Sequence, residues 1–145
     1  MRLLSSLAMA VSLSACASAR VTPEFLTPYG PPTRPFSPAV RVGTLLFLSG
    51  QIGTDPGAGG TLVAGGVQAE TRQTLENIKD VLSRTGSSMD RVVKCTVFMA
   101  DMREWDAMNE IYRTYFPTNR PARSALGASG LALNARVEIE CIAAA

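Results

Sequence analysis

The sequence predicts an α+β domain in which one β-sheet carries two helices on one face. Apolar residues recur at helical spacing in two stretches, which lie between segments of alternating or β-branched apolar residues. The resulting order along the chain, β-β-α-β-α-β-β, is typical of a two-layer arrangement. With 145 residues, the chain has room for one domain with an ordinary core.

The first strands and the first helix have clear boundaries. Residues 40–42 and 45–49 are expected to form a hairpin around Gly43, and residues 55–66 are Gly-rich and predict a loop or irregular hairpin. Helical spacing then predicts a helix over residues 67–84, which Gly86 ends. The apolar residues with this spacing are Val67, Leu75, Ile78 and Leu82.

The second half repeats the alternation of strand and helix. Residues 92–99 alternate, which predicts a strand with Val93, Cys95, Val97 and Met99 on one face. Asp101 and Glu104 are spaced as a capping box that opens a second helix, and Pro117 ends it. Its apolar stripe is formed by Trp105, Met108, Tyr112 and Tyr115. Residues 124–128 and 136–142 are expected to be closing strands.

The amino-terminal residues are typical of a targeting signal. The positively charged Arg2 is followed by an apolar stretch over residues 3–13. Residues 13–16, at the end of this stretch, have the sequence Leu-Ser-Ala-Cys. We therefore expect residues 1–16 to be a signal with a lipoprotein-like cleavage box, Cys16 to be lipidated, and the protein to be exported, as a periplasmic or membrane-anchored lipoprotein. Cleavage after residue 19 and a cytoplasmic protein with an apolar start are the alternatives.

A Pro-rich tether is expected to follow the signal over residues 17–34, and the folded domain is expected to span residues 35–145. The prolines are Pro23, Pro28, Pro31, Pro32 and Pro35, and such a stretch disfavours helix and favours an extended chain.

Composition excludes several kinds of chemistry. The chain contains no histidine, which removes Ser-His-Asp and Cys-His schemes and any His-containing zinc site. The net charge of +2 is small and interspersed, so no nucleic-acid partner is expected. We predict no metal and no cofactor. Cys95 and Cys141 lie on apolar strand faces and are expected to be buried; a disulfide between them is left open.

One group of residues near the carboxyl terminus could form a binding or catalytic site for a small carboxylate. Arg123 follows a short Pro-Ala connection, and a guanidinium held there can bind a carboxylate through two parallel hydrogen bonds. In the last strand Glu138 and Glu140 share one face, and one of them could orient a water. The alternative is that Arg123 pairs with a glutamate and the charged strand face merely meets solvent.

These residues resemble the signature of the RidA (YjgF/YER057c/UK114) family of reactive-intermediate deaminases. The matching segments are PARS at 121–124, Gly130 with Leu131, and VEIE at 137–140. Further upstream matches are PFSPAVRVG at 35–43, LLFLSGQI at 45–52, QTLENI at 73–78 and VFMAD at 97–101. The resemblance covers about residues 35–143.

The resemblance implies a chorismate-mutase-like fold and a homotrimer with clefts between subunits. It also implies cofactor-free hydrolysis of amino-acid-derived enamines and imines, such as 2-aminoacrylate and 2-iminopropanoate, to a 2-keto acid and ammonia. Arg123 would hold the substrate carboxylate and Glu138 would polarise water, while Ser49, Gly50 and Asn109 would line the pocket.

Two positions depart from the family pattern. Phe36 stands where the family usually has a tyrosine, and Ala125 stands where it usually has a cysteine. Both are expected to line the substrate pocket. The alternative to an enzyme is a non-catalytic protein that binds or senses a small carboxylate or keto acid in the same cleft. RNA cleavage or a chaperone-like role is also attributed to some members, and the mild charge and the absence of histidine argue against RNA cleavage.

Overall fold

The computed structural model describes residues 20–31 and 33–145. The expected signal over residues 1–16 and the lipidated Cys16 lie outside the described residues. The strands are β1 (Glu24–Leu26), β2 (Ala39–Val42), β3 (Leu45–Leu48), β4 (Gln51–Ile52), β5 (Thr54–Asp55), β6 (Thr61–Leu62), β7 (Val92–Met99), β8 (Ala122–Gly127) and β9 (Val137–Ala144). The helices are α1 (Gly66–Arg84) and α2 (Trp105–Tyr115). In the described part of the chain, neither helix has the length and apolar character that crossing a bilayer requires.

One mixed sheet organises the domain. Its strand order is β1-β2-β3-β9-β7-β8, and β4 also pairs with β9. The pair β7–β8 is parallel because α2 crosses over between these strands, whereas the other pairs are antiparallel. Both helices pack on one face of this sheet, and β5 and β6 form a separate small hairpin. The predicted α+β architecture is therefore confirmed, and the trimer stays a prediction.

The core lies between the helices and the strand faces that point toward them. The apolar sets of β7 and β9 face each other across the register, Cys95 with Cys141, Val97 with Ile139 and Met99 with Val137, and all six are buried. From the helices, the core includes Leu75, Ile78, Leu82 and Met108.

One residue of the stripe predicted for β7, Val93, does not lie on the buried face with the others. Val93 is 47% exposed and Val92 is buried instead. The register with β9 shifts between Val92 and Lys94, so the two-residue alternation is broken there.

The helix ends follow the predicted signals in part. Gly86, at φ 83°, follows α1, and the amide of Ser87 donates to the carbonyl of Leu82, which is the glycine-assisted stop that was expected. At the start of the second helical segment, Oδ1 of Asp101 accepts from the amide of Arg103 and caps a 3₁₀ turn that leads into α2. The predicted capping box is only half formed, because the Glu104 carboxylate bonds Arg136 instead.

Part of the segment expected to be a tether is docked on the domain. Strand β1 pairs with β2, and the hydroxyl of Tyr29 donates to Asp80 of α1 at 2.8 Å. Ordered contacts therefore begin upstream of the boundary expected at residue 35.

A disulfide joins the two central strands. Cys95 and Cys141 are directly opposite in the β7–β9 register, their Cα atoms are 4.1 Å apart, and their sulfurs are bonded. Both are buried, as the sequence predicts. The bond closes a sequence separation of 46 residues, and on the chain-entropy model a closure of this length stabilises the fold by roughly 4 kcal/mol.

We predict that reduction lowers the free energy of unfolding by up to about 4 kcal/mol, measured by urea denaturation of the oxidised and reduced wild-type protein. The double variant C95A/C141A controls for direct effects of the reductant, because its stability should not respond to reduction. Equal stability of oxidised and reduced wild type would contradict a structural role for the bond.

Candidate functional site

Arg123 lies on the edge strand β8 and points to the helix side of the sheet. It is opposite Cys95 in the parallel register, and it is half-buried. Its Nη1 donates to Oδ1 of Asn109 at 2.7 Å. Its Cζ lies 5.0 Å from the ring centroid of Trp105 and 4.6 Å from that of Tyr112.

This environment holds the guanidinium without neutralising it. A cation over an aromatic face gains about 0.5–2 kcal/mol, depending on how far it is desolvated. Across residues 20–31 and 33–145, the ion pairs within 4.0 Å do not include Arg123. The alternative in which Arg123 pairs with a glutamate is therefore not what the described structure contains, and the charge is available to a ligand.

Glu138 lies on β9 and points to the opposite face of the sheet, away from the helices. Because Val137 and Ile139 face the core, the two-residue period places Glu138 and Glu140 on the open face. Burial raises the pKa of Glu138, and the neighbouring charge of Glu140 raises it further. The raised pKa makes Glu138 a better proton acceptor in its ionised form than an exposed carboxylate.

Gly50 makes room for the Glu138 carboxyl. A Cβ at position 50 would collide with Oε1 of Glu138, and Ile52, two residues further along, is opposite Glu138 in the β4–β9 register. A side chain at position 50 would displace the carboxylate, so the glycine lets Glu138 approach the backbone in the observed position.

Ser49 ties the segment that contains Phe36 to the same bend. The Ser49 hydroxyl donates to the carbonyl of Ser37 at 2.7 Å, and its amide donates to the carbonyl of Pro38 at 3.0 Å. Phe36, the residue before Ser37, is 47% exposed and lines a cavity of about 480 Å³ together with Gln51 and, from α1, Asp80. The bend at residues 49–50 thus places Ser49 beside the segment that contains Phe36, and Gly50 beside Glu138.

The expected site residues therefore form two groups in a single chain. The first group lies around the bend at residues 49–50 and consists of Phe36, Ser49, Gly50 and Glu138. The second group lies beside α2 and consists of Asn109, Arg123 and Ala125. Ala125 is opposite Val97 and so points to the helix side of the sheet. Arg123 and Glu138 are two strands and three register positions apart, which corresponds to roughly 14 Å between Cα atoms. Since the two side chains also point to opposite faces of the sheet, one copy of the chain does not bring them onto one small ligand.

Sequence reasoning missed the contacts of Trp105 and Tyr112 with Arg123. Both residues were predicted as part of an apolar helix stripe, and Tyr112 is indeed buried. The spacing of Trp105 and Tyr112 from Asn109 could have indicated these contacts, because it places all three residues on one face of α2.

Comparisons with known proteins agree with this architecture. The profile of the family described as endoribonuclease L-PSP matches residues 29–145. The mouse protein named 2-iminobutanoate/2-iminopropanoate deaminase is 46% identical over 109 residues, which cover 75% of this chain and 80% of the mouse protein.

Two solved structures are also similar. A Yersinia pestis protein of unknown function from the conserved Rid family superposes with a TM-score of 0.78 at 37% identity, covering 86% of this chain and all of the other. The structure of Escherichia coli TdcF with bound serine gives a TM-score of 0.74 at 32% identity, covering 83% and 97% of the two chains.

The fold and these similarities define a class of small α+β proteins. This chain belongs to the YjgF/RidA family, whose profile carries the description endoribonuclease L-PSP.

We predict that Glu140→Gln lowers the pKa of Glu138, because it removes a negative charge that disfavours ionisation. The pKa of Glu138 should still exceed that of an exposed glutamate, because burial is the larger cause. Side-chain ¹³C NMR titration of the wild type and the variant measures both effects. An unchanged Glu138 pKa would show that the two carboxylates do not interact.

Proposed function

We propose that the protein hydrolyses reactive enamine and imine intermediates derived from amino acids, of the 2-aminoacrylate and 2-iminopropanoate type, to a 2-keto acid and ammonia. The observation that carries the proposal is the Arg123 guanidinium, which is fixed by Asn109 and two rings but has no carboxylate partner in the described chain. The names of the deaminase relatives, at 44–46% identity, support the same activity.

Arg123 recognises the substrate carboxylate. A guanidinium offers two parallel N–H donors that match a carboxylate, and this contact fixes the position of the adjacent imine carbon. The serine bound to Escherichia coli TdcF also carries a carboxylate, which supports an amino-acid-like ligand for this site.

Glu138 activates the water. As the water oxygen bonds to the imine carbon and the C=N π bond breaks, Glu138 accepts one proton from the water and passes it to the nitrogen, which gives an amino alcohol. Glu138 then accepts the hydroxyl proton of the amino alcohol as the C–N bond breaks, and it transfers this proton to the departing nitrogen, so that the products are a keto group and ammonia. Positioning and electrostatics supply the catalysis, because no covalent nucleophile is needed.

The active site is formed between two copies of the chain. Arg123 and Asn109 of one copy would meet Phe36, Ser49, Gly50 and Glu138 of the next, since the two groups are separated in a single copy. A head-to-tail contact forms a ring when the rotation between copies closes, and we propose the closed homotrimer that the family resemblance implies.

We predict different kinetic losses for the two charged residues in assays of enzymatically generated 2-iminopropanoate. Arg123→Ala should lower kcat/KM by about 10²-fold, mainly through KM, because it removes a charged hydrogen-bond donor. Glu138→Gln should lower kcat by about 10²- to 10⁴-fold, because it removes the proton acceptor.

Glu76→Gln, an exposed site on α1, is the matched control and should retain activity. Binding of pyruvate by the wild type without faster ammonia release would instead establish a non-catalytic binding protein.

We also propose that the protein is exported and anchored by a lipid on Cys16. The apolar sequence before Cys16 supports this, and so does the Cys95–Cys141 disulfide, because structural disulfides persist in oxidising compartments.

We predict that the full chain expressed in a bacterium fractionates with membranes, and that Cys16→Ser releases it from them. Intact-mass measurement should detect the lipid on the mature wild-type protein. Recovery of the uncleaved wild-type chain from the cytoplasm, with Cys95 and Cys141 reduced, would contradict export.

A further inference from the structure

Three side chains of one helix enclose the guanidinium of Arg123. Trp105, Asn109 and Tyr112 are separated by four and three residues, so they share one face of α2. We call these three residues the arginine clamp. The two rings are within 5.0 Å of the guanidinium carbon, and the amide oxygen of Asn109 accepts one of its protons.

The chemistry of the clamp differs from that of an ion pair. An aromatic face attracts a cation through its quadrupole and leaves the positive charge intact, whereas a carboxylate would neutralise it. A guanidinium has five N–H donors, and in the described contacts the side chain of Arg123 donates to one protein acceptor, Asn109. Its other donors are available to an incoming anion.

The Tyr112 contact is made by the ring and not by the hydroxyl. The hydroxyl oxygen is buried and has no hydrogen-bond partner among the described residues. The ring of Tyr112 also lies 4.8 Å from that of Phe116, which is buried in the core. The ring position is therefore set by core packing, and Arg123 is held against a fixed wall.

We propose that Trp105 and Tyr112, with the amide of Asn109, are positioning residues that orient the guanidinium of Arg123 for the carboxylate of the substrate without pairing its charge. This inference rests on the proposed function and adds the residues that preorganise its carboxylate-binding group. Without the clamp the long arginine side chain would regain its rotamer freedom, and each binding event would have to order it again. The loss should therefore appear in affinity and KM more than in kcat.

Variants of the two rings test the aromatic part of the clamp. Trp105→Leu and Tyr112→Leu should each raise KM for 2-iminopropanoate and Kd for pyruvate by about 5- to 30-fold, with a smaller change in kcat. Trp105→Phe and Tyr112→Phe keep an aromatic face and should restore most of the affinity. Tyr115→Leu, on the same helix, is the matched control, because Tyr115 contacts α1 and not Arg123.

Variants of Asn109 test the amide contact. Asn109→Asp places a carboxylate of equal size beside the guanidinium, so it should compete with the substrate and raise KM and the Kd of pyruvate by at least 10-fold, with the fold retained. Asn109→Ala should have a smaller effect. Asn134→Asp adds the same charge at an exposed position whose φ of 61° aspartate tolerates, and it should leave both constants unchanged.

The outcomes separate this inference from the proposed function. If the wild type lacks deaminase activity, two measurements still report on the arginine clamp. They are the Kd of pyruvate and the NMR shift of the Arg123 Nε–H group, which the ring currents of Trp105 and Tyr112 affect. Unchanged Kd and Nε–H shift in both leucine variants would overturn the clamp, and so would a loss in Tyr112→Phe as large as that in Tyr112→Leu. An Asn109→Asp variant that binds pyruvate as wild type does would overturn the amide's role.

Discussion

The register between β7, β8 and β9 is the constraint on which the site depends. It places Cys95 between Arg123 and Cys141, and it fixes which face each strand residue occupies. Because the period of a strand is two residues, the buried stripe of β9 forces Glu138 onto the open face, whereas Arg123 shares the helix side with Cys95. The disulfide joins β7 to β9 at this register, so a slip that would exchange the faces is blocked in the oxidised protein.

The open face of the sheet is the surface on which Glu138 lies. Leu45, Phe47 and Leu126 point to the same face and are partly exposed. A second copy of the chain on this face would bury these residues, further desolvate Glu138, and bring a neighbouring Arg123 to the carboxylate. The proposed active site therefore uses the open face of the sheet as its contact between copies.

The sequence predicted the sheet, both helices and the burial of the β7 and β9 stripes, because periodicity records local geometry directly. It misplaced Val93, since a bulge depends on pairing with a distant strand. It also missed β1, whose pairing with β2 cannot be read from a Pro-rich composition. Arg123 and Glu138 were selected from residue type and resemblance, but their placement on opposite faces follows only from the register. The contacts of Trp105 and Tyr112 with Arg123 were missed because an apolar stripe usually indicates core packing.

Mixing two inactive variants tests the shared site most directly. Arg123→Ala and Glu138→Gln chains, each with little deaminase activity, are unfolded and refolded together in equal amounts. If each site takes its arginine from one copy and its glutamate from the next, about a quarter of the sites in a closed ring receive both intact residues. The account then predicts recovery of about a quarter of the wild-type activity. Activity that stays at the level of the separate variants, in mixed oligomers confirmed by native mass spectrometry, would contradict it.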